Sequence, residues 1–217
     1  MEDVVISSAV RTPMGGFQGD LDSFSASELG GMAIEGAMEK AGIVRVDEVI
    51  MGNVLGAGQG QAPARQASFA AGLDETVPAT TLNKMCGSGM KAAMIGFDQI
   101  KLGQNQTLVV GGMESMSNAP YLLPKMRSGA RLGHGKVVDH MFLDGLEDAY
   151  EPGRLMGTFA EDCAEKYQFT REAQDEYALM SLENSLSAQK VGAFENEIRA
   201  VEVLSLIHIS EPTRQSL

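Results

Sequence analysis

The chain has 217 residues, 44% hydrophobic and 21% charged, which suits one ordinary globular domain or a large piece of one, with room for a core of useful size. Lys and Arg number 17 against 29 Asp and Glu, a net charge of −12, so the surface repels phosphate backbones and no nucleic-acid partner is expected. Cys86 and Cys163 make no disulfide framework, no apolar run approaches the roughly 18 residues of a membrane span, and Met1-Glu2-Asp3 opens without a basic leader; the expectation is a soluble, untargeted, cytoplasmic protein with reduced thiols and no membrane partner.

Val4-Val5-Ile6 reads as a short buried strand, stopped by Arg11-Thr12-Pro13-Met14-Gly15-Gly16. Ser25-Ala26-Ser27-Glu28 has the spacing of a capping box. Leu29, Met32, Ala33, Gly36, Ala37 and Ala41 then share a helical face, and Gly42 supplies the stop. A strand over 49–53 follows. Gly56, Gly58 and Gly60 interrupt the chain next, without the spacing of a dinucleotide fingerprint or the Lys-Ser/Thr of a P-loop. Residues 62–71 read as a short helix ending at Gly72-Leu73-Asp74. A strand over 79–83, a helix over 88–102 and a strand over 107–112 form a βαβ unit, which requires parallel strands and a right-handed crossover. With the earlier strands this predicts an α/β domain whose sheet is parallel or mixed and covered on both faces. From Glu114 to Gly157 prolines, glycines and serines break every pattern, a length of irregular chain that should be functional or an excursion from the main body. Helices return over 158–167 and 171–191, the second entered through Thr170 and left at Gly192.

Asn83-Lys84-Met85-Cys86-Gly87-Ser88-Gly89-Met90-Lys91 puts a cysteine at a strand-to-helix turn. The first N–H groups of a helix lack intrahelical partners and carry the positive end of its dipole, which favours the thiolate, the nucleophilic form. Gly87 and Gly89 lack Cβ atoms, so a bulky thioester can approach the sulfur. A buried structural cysteine fits the same position, and spacing does not choose between the two. Cys163, inside a helical pattern, reads as a packed thiol. His134 and His140 read as surface or packing residues. Two histidines six apart and two distant cysteines have no zinc spacing, so no metal is expected.

The segment Asn83-Lys84-Met85-Cys86-Gly87-Ser88-Gly89 resembles the nucleophile motif of the thiolases. Ala9-Val10-Arg11-Thr12-Pro13 resembles that family's opening strand and loop, and Gly111-Gly112-Met113-Glu114-Ser115-Met116-Ser117 is similar to a further signature. The resemblance runs from about Val4 to Val203 and is strongest to the biosynthetic branch, the acetyl-CoA acetyltransferases. It implies an α/β thiolase fold: the N-terminal half of a layered αβαβα architecture over 1–120, and the start of the loop domain over 121–203.

The same resemblance implies a thioester nucleophile at Cys86, acylated by an acyl-CoA before the acyl group passes to CoA or a second acetyl-CoA. Acetyl-CoA and CoA are then substrates, and no cofactor is implied. Asp144-Gly145-Leu146 and Met156-Gly157 match positions flanking the CoA pantetheine, making Leu146 and Met156 candidate CoA contacts, with core packing as the alternative. Leu155 stands where many relatives carry histidine. Lys125, Arg127, Arg131 and Lys136 have no acid among them; in the family this is the tetramerisation loop, and its positive field would draw CoA phosphates, while a solvated loop is the plain alternative. The family's second cysteine, activating histidine and Asn-linked oxyanion site belong to C-terminal motifs absent from this sequence, and the reaction needs such a base and such donors. The expectation is therefore an enzyme fragment, inactive alone, from a protein that is a homodimer or homotetramer when full length. Residues 204–217 match nothing in the loop domain and read as a translated sequencing-adapter scar. A non-catalytic acyl-CoA-binding or interaction fragment, or another thiolase-fold condensing enzyme, are the alternative functions.

Overall fold

Ser25 opens the first helix, α1 (Ala26–Ala41), with both bonds of the capping box. Its hydroxyl accepts from the Glu28 N–H, and the Glu28 carboxylate accepts from the Ser25 N–H at 2.8 Å. The backbone bond first, and the hydroxyl second, hold the Glu28 carboxyl below its ordinary range. Gly42 then turns left-handed, φ 65°, and its N–H closes the helix on Glu39. In this computed structural model, which describes residues 3–203, the chain continues through β1 (Glu48–Gly52), α2 (Pro63–Ala70), β2 (Ala79–Leu82), α3 (Ser88–Lys101) and β3 (Leu108–Gly112). The expected scar over 204–217 lies outside the described residues.

The three strands are parallel, in the order β2-β1-β3. The expected βαβ unit therefore joins the two outer strands across β1, with Val49 beside Ala79 on one side and Val109 on the other. β1 is covered on both faces, as the middle of a parallel sheet requires: Val49, Ile50 and Met51 are at most 2% exposed. Alternation along the strand sorts its side chains. Val49 and Met51 join Ala26, Ile34, Ala64, Ala67, Val77 and Met113 in the core beneath α1 and α2. Gly52 turns the other way, onto Ser88 at the head of α3.

The buried side of α1 is not the one expected. Of the residues expected there only Gly36 is buried; Leu29, Met32, Ala33, Ala37 and Ala41 are half-buried on the flank, and Ala26, Ser27, Gly30, Gly31 and Ile34 face inward with Gly36. The reason is a close approach to α2. A Cβ on Gly31 would stand 2.6 Å from the Ala70 Cβ, and one on Gly30 would stand 2.6 Å from the Met113 Sδ. A count of apolar side chains misses such a face, because glycine contributes none.

Residues 4–6 do not form the expected strand. A strand exists only as one side of a ladder, none pairs with this segment among the described residues, and Val5 and Ile6 are 78% and 88% exposed. Pairing begins at Arg11, in a single parallel bridge to Ile198. The Arg11 N–H donates to Glu197 and the Arg199 N–H to Arg11, each at 2.8 Å. An Arg11–Glu197 ion pair at 2.7 Å and an Arg199–Glu39 pair at 2.5 Å pin the two segments to each other and to α1.

After β3 the irregular stretch contains a two-residue antiparallel pair, β4 (Tyr121–Leu122) with β5 (Val138–Asp139), and a π-helical turn at Phe142–Leu146. The helices α4 (Met156–Tyr167) and α5 (Arg171–Lys190) follow. Thr170 caps α5 as expected, its hydroxyl accepting from the Ala173 N–H. Neither helix has a buried residue. Among the described residues no helix is long and apolar enough to cross a membrane.

Candidate active site

Parallel strands end on the same side, and the loops leaving them meet there. Asn53 follows β1, Asn83 and Cys86 follow β2, and Glu114 follows β3. The ladder runs one residue past β1 and β3: the Asn53 N–H donates to Leu82 at 3.0 Å and the Met113 N–H to Gly52 at 2.9 Å. Glu114 then collects three donors. Its Oε1 accepts from Asn53 Nδ2 at 2.9 Å and the Leu55 N–H at 3.0 Å, and its Oε2 accepts from the Val54 N–H at 2.9 Å.

The turn that carries Cys86 is tight. Met85, just before it, has φ 50°, left-handed backbone in a non-glycine residue. Asn83 Oδ1 accepts from the Met85 N–H at 2.9 Å. Ser88 Oγ accepts from the Lys84 N–H at 2.9 Å and donates to the Met85 carbonyl at 2.6 Å. The Gly87 and Ser88 N–H groups, expected to stand free beside the thiol, instead donate to the Lys84 and Met85 carbonyls at 3.2 and 3.0 Å. A turn this short uses its own amides, so what α3 offers the sulfur is the field of its N-terminal end. Cys86 is exposed in this chain and takes no part in the core beneath α1 and α2. Nothing lies closer to the Cβ position of Gly87 than the Lys84 carbonyl at 3.5 Å, so the approach that glycine was expected to leave is open.

Leu146 and Met156, expected as a pair, stand across from each other. Leu146 ends the π-helical turn and Met156 begins α4. Between them Glu147 and Leu155 form an antiparallel bridge, a register that sets residue 146 opposite 156. Leu146 is half-buried and Met156 exposed; neither belongs to the core. The loop after β1 links this segment to the Cys86 turn. The Cβ position of Gly145 is 3.3 Å from Leu55 Cδ2, and Asn83 Nδ2 reaches the Val54 carbonyl at 3.5 Å.

His140 is 5% exposed, a packing residue of an unusually polar kind. Its Nε2 accepts from the Ala57 N–H at 3.2 Å, which leaves Nδ1 as the protonated nitrogen, 2.5 Å from Asp144 Oδ2. His134 and the four cations Lys125, Arg127, Arg131 and Lys136 are exposed. Cys163 is also exposed, contrary to the packed thiol expected, because α4 buries none of its residues. Glu114, Asn83 and Ser88 carry no individual signal within the motifs that contain them. A carboxylate placed directly after an apolar strand, where loop amides collect, is the signal that could have found the first of them.

The sequence profile of the thiolase N-terminal domain matches residues 4–207. The chain belongs to the thiolase family. It is 53% identical over 203 residues to acetyl-CoA acetyltransferase 2 of Arabidopsis thaliana, covering 93% of this chain and 50% of that protein. It is 49% identical over 205 residues to the acetyl-CoA acetyltransferase of Pseudomonas aeruginosa, with coverages of 94% and 52%. The crystal structure of Acat5 thiolase from Ascaris suum in complex with coenzyme A matches with a TM-score of 0.87 at 40% identity, covering 91% of this chain and 52% of that one. The α/β thiolase fold expected from the motifs is thus the fold observed, and the chain spans about half the length of these relatives. In this thiolase chain the three resembling segments fall on the stretch whose Arg11 bridges to Ile198, on the Cys86 turn, and on β3 with the loop that carries Glu114.

Proposed function

We propose that this thiolase chain carries the acyl-accepting cysteine of an acetyl-CoA C-acetyltransferase. The Cys86 thiolate attacks the carbonyl carbon of an acyl-CoA; a C–S bond to Cys86 forms, the bond to the CoA sulfur breaks, and CoA leaves as a thiolate that takes up the proton Cys86 gave to solvent. The acyl group then passes to free CoA or to a second acetyl-CoA. CoA and its thioester are substrates, and the reading calls for no cofactor or metal. Leu146 and Met156, opposed across the Glu147–Leu155 bridge, are assigned to the pantetheine arm, and the cations of residues 125–136 to its phosphates. A homodimer or homotetramer of the full-length protein belongs to the same reading.

The observation that carries it is an exposed cysteine at the head of α3, on the carboxyl edge of a parallel sheet, in a chain about half identical to acetyl-CoA acetyltransferases. Among the described residues no side chain hydrogen-bonds the Cys86 thiol. The reading therefore assigns acylation to this chain and little turnover, since a positioned base and oxyanion donors supply most of the rate in such chemistry. Both cysteines are exposed, so a difference in their reactivity reports chemistry and not access. Peptide mapping after brief iodoacetamide treatment near neutral pH should find Cys86 modified before Cys163, and acetyl-CoA should leave one acetyl group on Cys86 and none in Cys86→Ala. Faster labelling of Cys163, or acetylation that survives Cys86→Ala, would remove Cys86 from the role.

A further inference from the structure

Left-handed backbone is disfavoured for a residue with a Cβ, and it persists only where its surroundings hold it. At Met85 the holders are on view. Its N–H is taken by the Asn83 side chain two residues back, a turn that asparagine forms readily, and its carbonyl is taken by the hydroxyl of Ser88 three residues on. Ser88 is held in place by burial, and Asn83, exposed, has a weaker tether at 3.5 Å. Ser88 is 5% exposed, a Cβ on Gly52 would stand 2.4 Å from its own Cβ, and its hydroxyl also accepts from Lys84. Asn83 uses its other end on Val54, whose N–H is in turn bound by Glu114.

We propose that Asn83 and Ser88 are positioning residues for Cys86: by claiming both peptide groups of Met85 they lock it left-handed and so fix the direction in which the neighbouring thiol points. The proposal rests on the reading of Cys86 as the nucleophile, for which direction matters because attack on a thioester carbonyl demands a defined approach. Without the two side chains, Met85 relaxes toward the right-handed or extended backbone that an ordinary residue prefers, and the peptide leading into Cys86 turns with it.

The test is made in the full chain carrying Cys163→Ser, so that one thiol remains. Asn83→Ala and Ser88→Ala should each slow iodoacetamide modification of Cys86 by about fivefold, because a thiol turned away from the N-terminal end of α3 loses the field that favours its thiolate. Adding Met85→Gly should restore the rate in both, since glycine adopts the left-handed backbone unaided; a role in stability alone would show in the melting curve and gain nothing in rate from that glycine. Unchanged rates in the alanine variants, or no recovery with Met85→Gly, would overturn the proposal. If an alanine variant does not fold, folding of its Met85→Gly double supports the lock and failure of both counts against it. A parent Cys86 that reacts no faster than Cys163 in a Cys86→Ser chain would sink the nucleophile reading instead, while the variants still decide whether the turn is locked.

Discussion

Glu114 satisfies three donors with one carboxylate and so ties the exits of β1 and β3 together. Asn53, one of those donors, is a buried amide. Glu114→Ala would leave two backbone N–H groups without their acceptor and Asn53 Nδ2 with only its 3.2 Å bond to the Met113 carbonyl, and we expect a loss of about 3 kcal/mol, the scale of charge-assisted bonds removed from one side. Urea unfolding reads this as a lower midpoint at unchanged slope, with Glu114→Gln falling between because one oxygen remains. A variant as stable as the parent would show that water replaces the carboxylate. The turn that holds Cys86 was legible in the sequence because its parts, a strand, two glycines and a helix, are local, but those parts alone did not choose between a nucleophile and a packed thiol. Glu114 was not: its partners lie some sixty residues back and reach it only through the strand order. Met85 was not legible either, since nothing in a methionine favours its backbone; its cause lies in Asn83 and Ser88. His140 could be read only as surface or packing, for its partner Ala57 is on another loop.

At the scale of elements, the glycine pair of α1 decides how closely two helices lie. Alanine is the better helix former by about 1 kcal/mol, yet Gly31→Ala would drive a methyl to within 2.6 Å of Ala70. Overpacking of that kind costs about 1–3 kcal/mol, so the net effect should be destabilising. Gly157→Ala on α4, where nothing lies within 4 Å of the Cβ position, should instead be neutral or slightly stabilising. Thermal melts of the two variants separate packing from propensity, and equal shifts would mean that the α1–α2 contact is looser than described. α1 was legible through the Ser25 capping box and the Gly42 stop, and α2 and α3 through their apolar, small-residue composition between turns, because such signals are carried by the segment itself. Residues 4–6 misled for the opposite reason: an apolar triplet becomes a strand only when another strand lies beside it.

Across the whole molecule, cover is uneven. The core lies between the sheet and the pair α1 and α2, while α3 turns Met90, Met94 and Phe97, one helical stripe, to solvent. A net charge of −12 keeps copies of such a surface apart at low salt, and screening shortens that repulsion to about 8 Å at physiological ionic strength. The chain should therefore bind anilinonaphthalene sulfonate and associate more as salt rises. Replacing Met90, Met94 and Phe97 by serine should weaken both; dye binding that the triple variant leaves intact would place the apolar surface elsewhere. The strand order also sets a timetable. As the chain leaves the ribosome, β1 emerges before either neighbouring strand, with α1 already made and the α2 segment following as further cover. β2 closes the shorter loop onto it and β3 the longer one, and closure grows costlier with length. Cys86 lies on the crossover between these two arrivals, while Glu114, through Val54, reaches the turn only after β3 has docked. The Cys86 thiol is thus set in its final direction only once all three strands are in place, so a partly made chain does not present it in that direction.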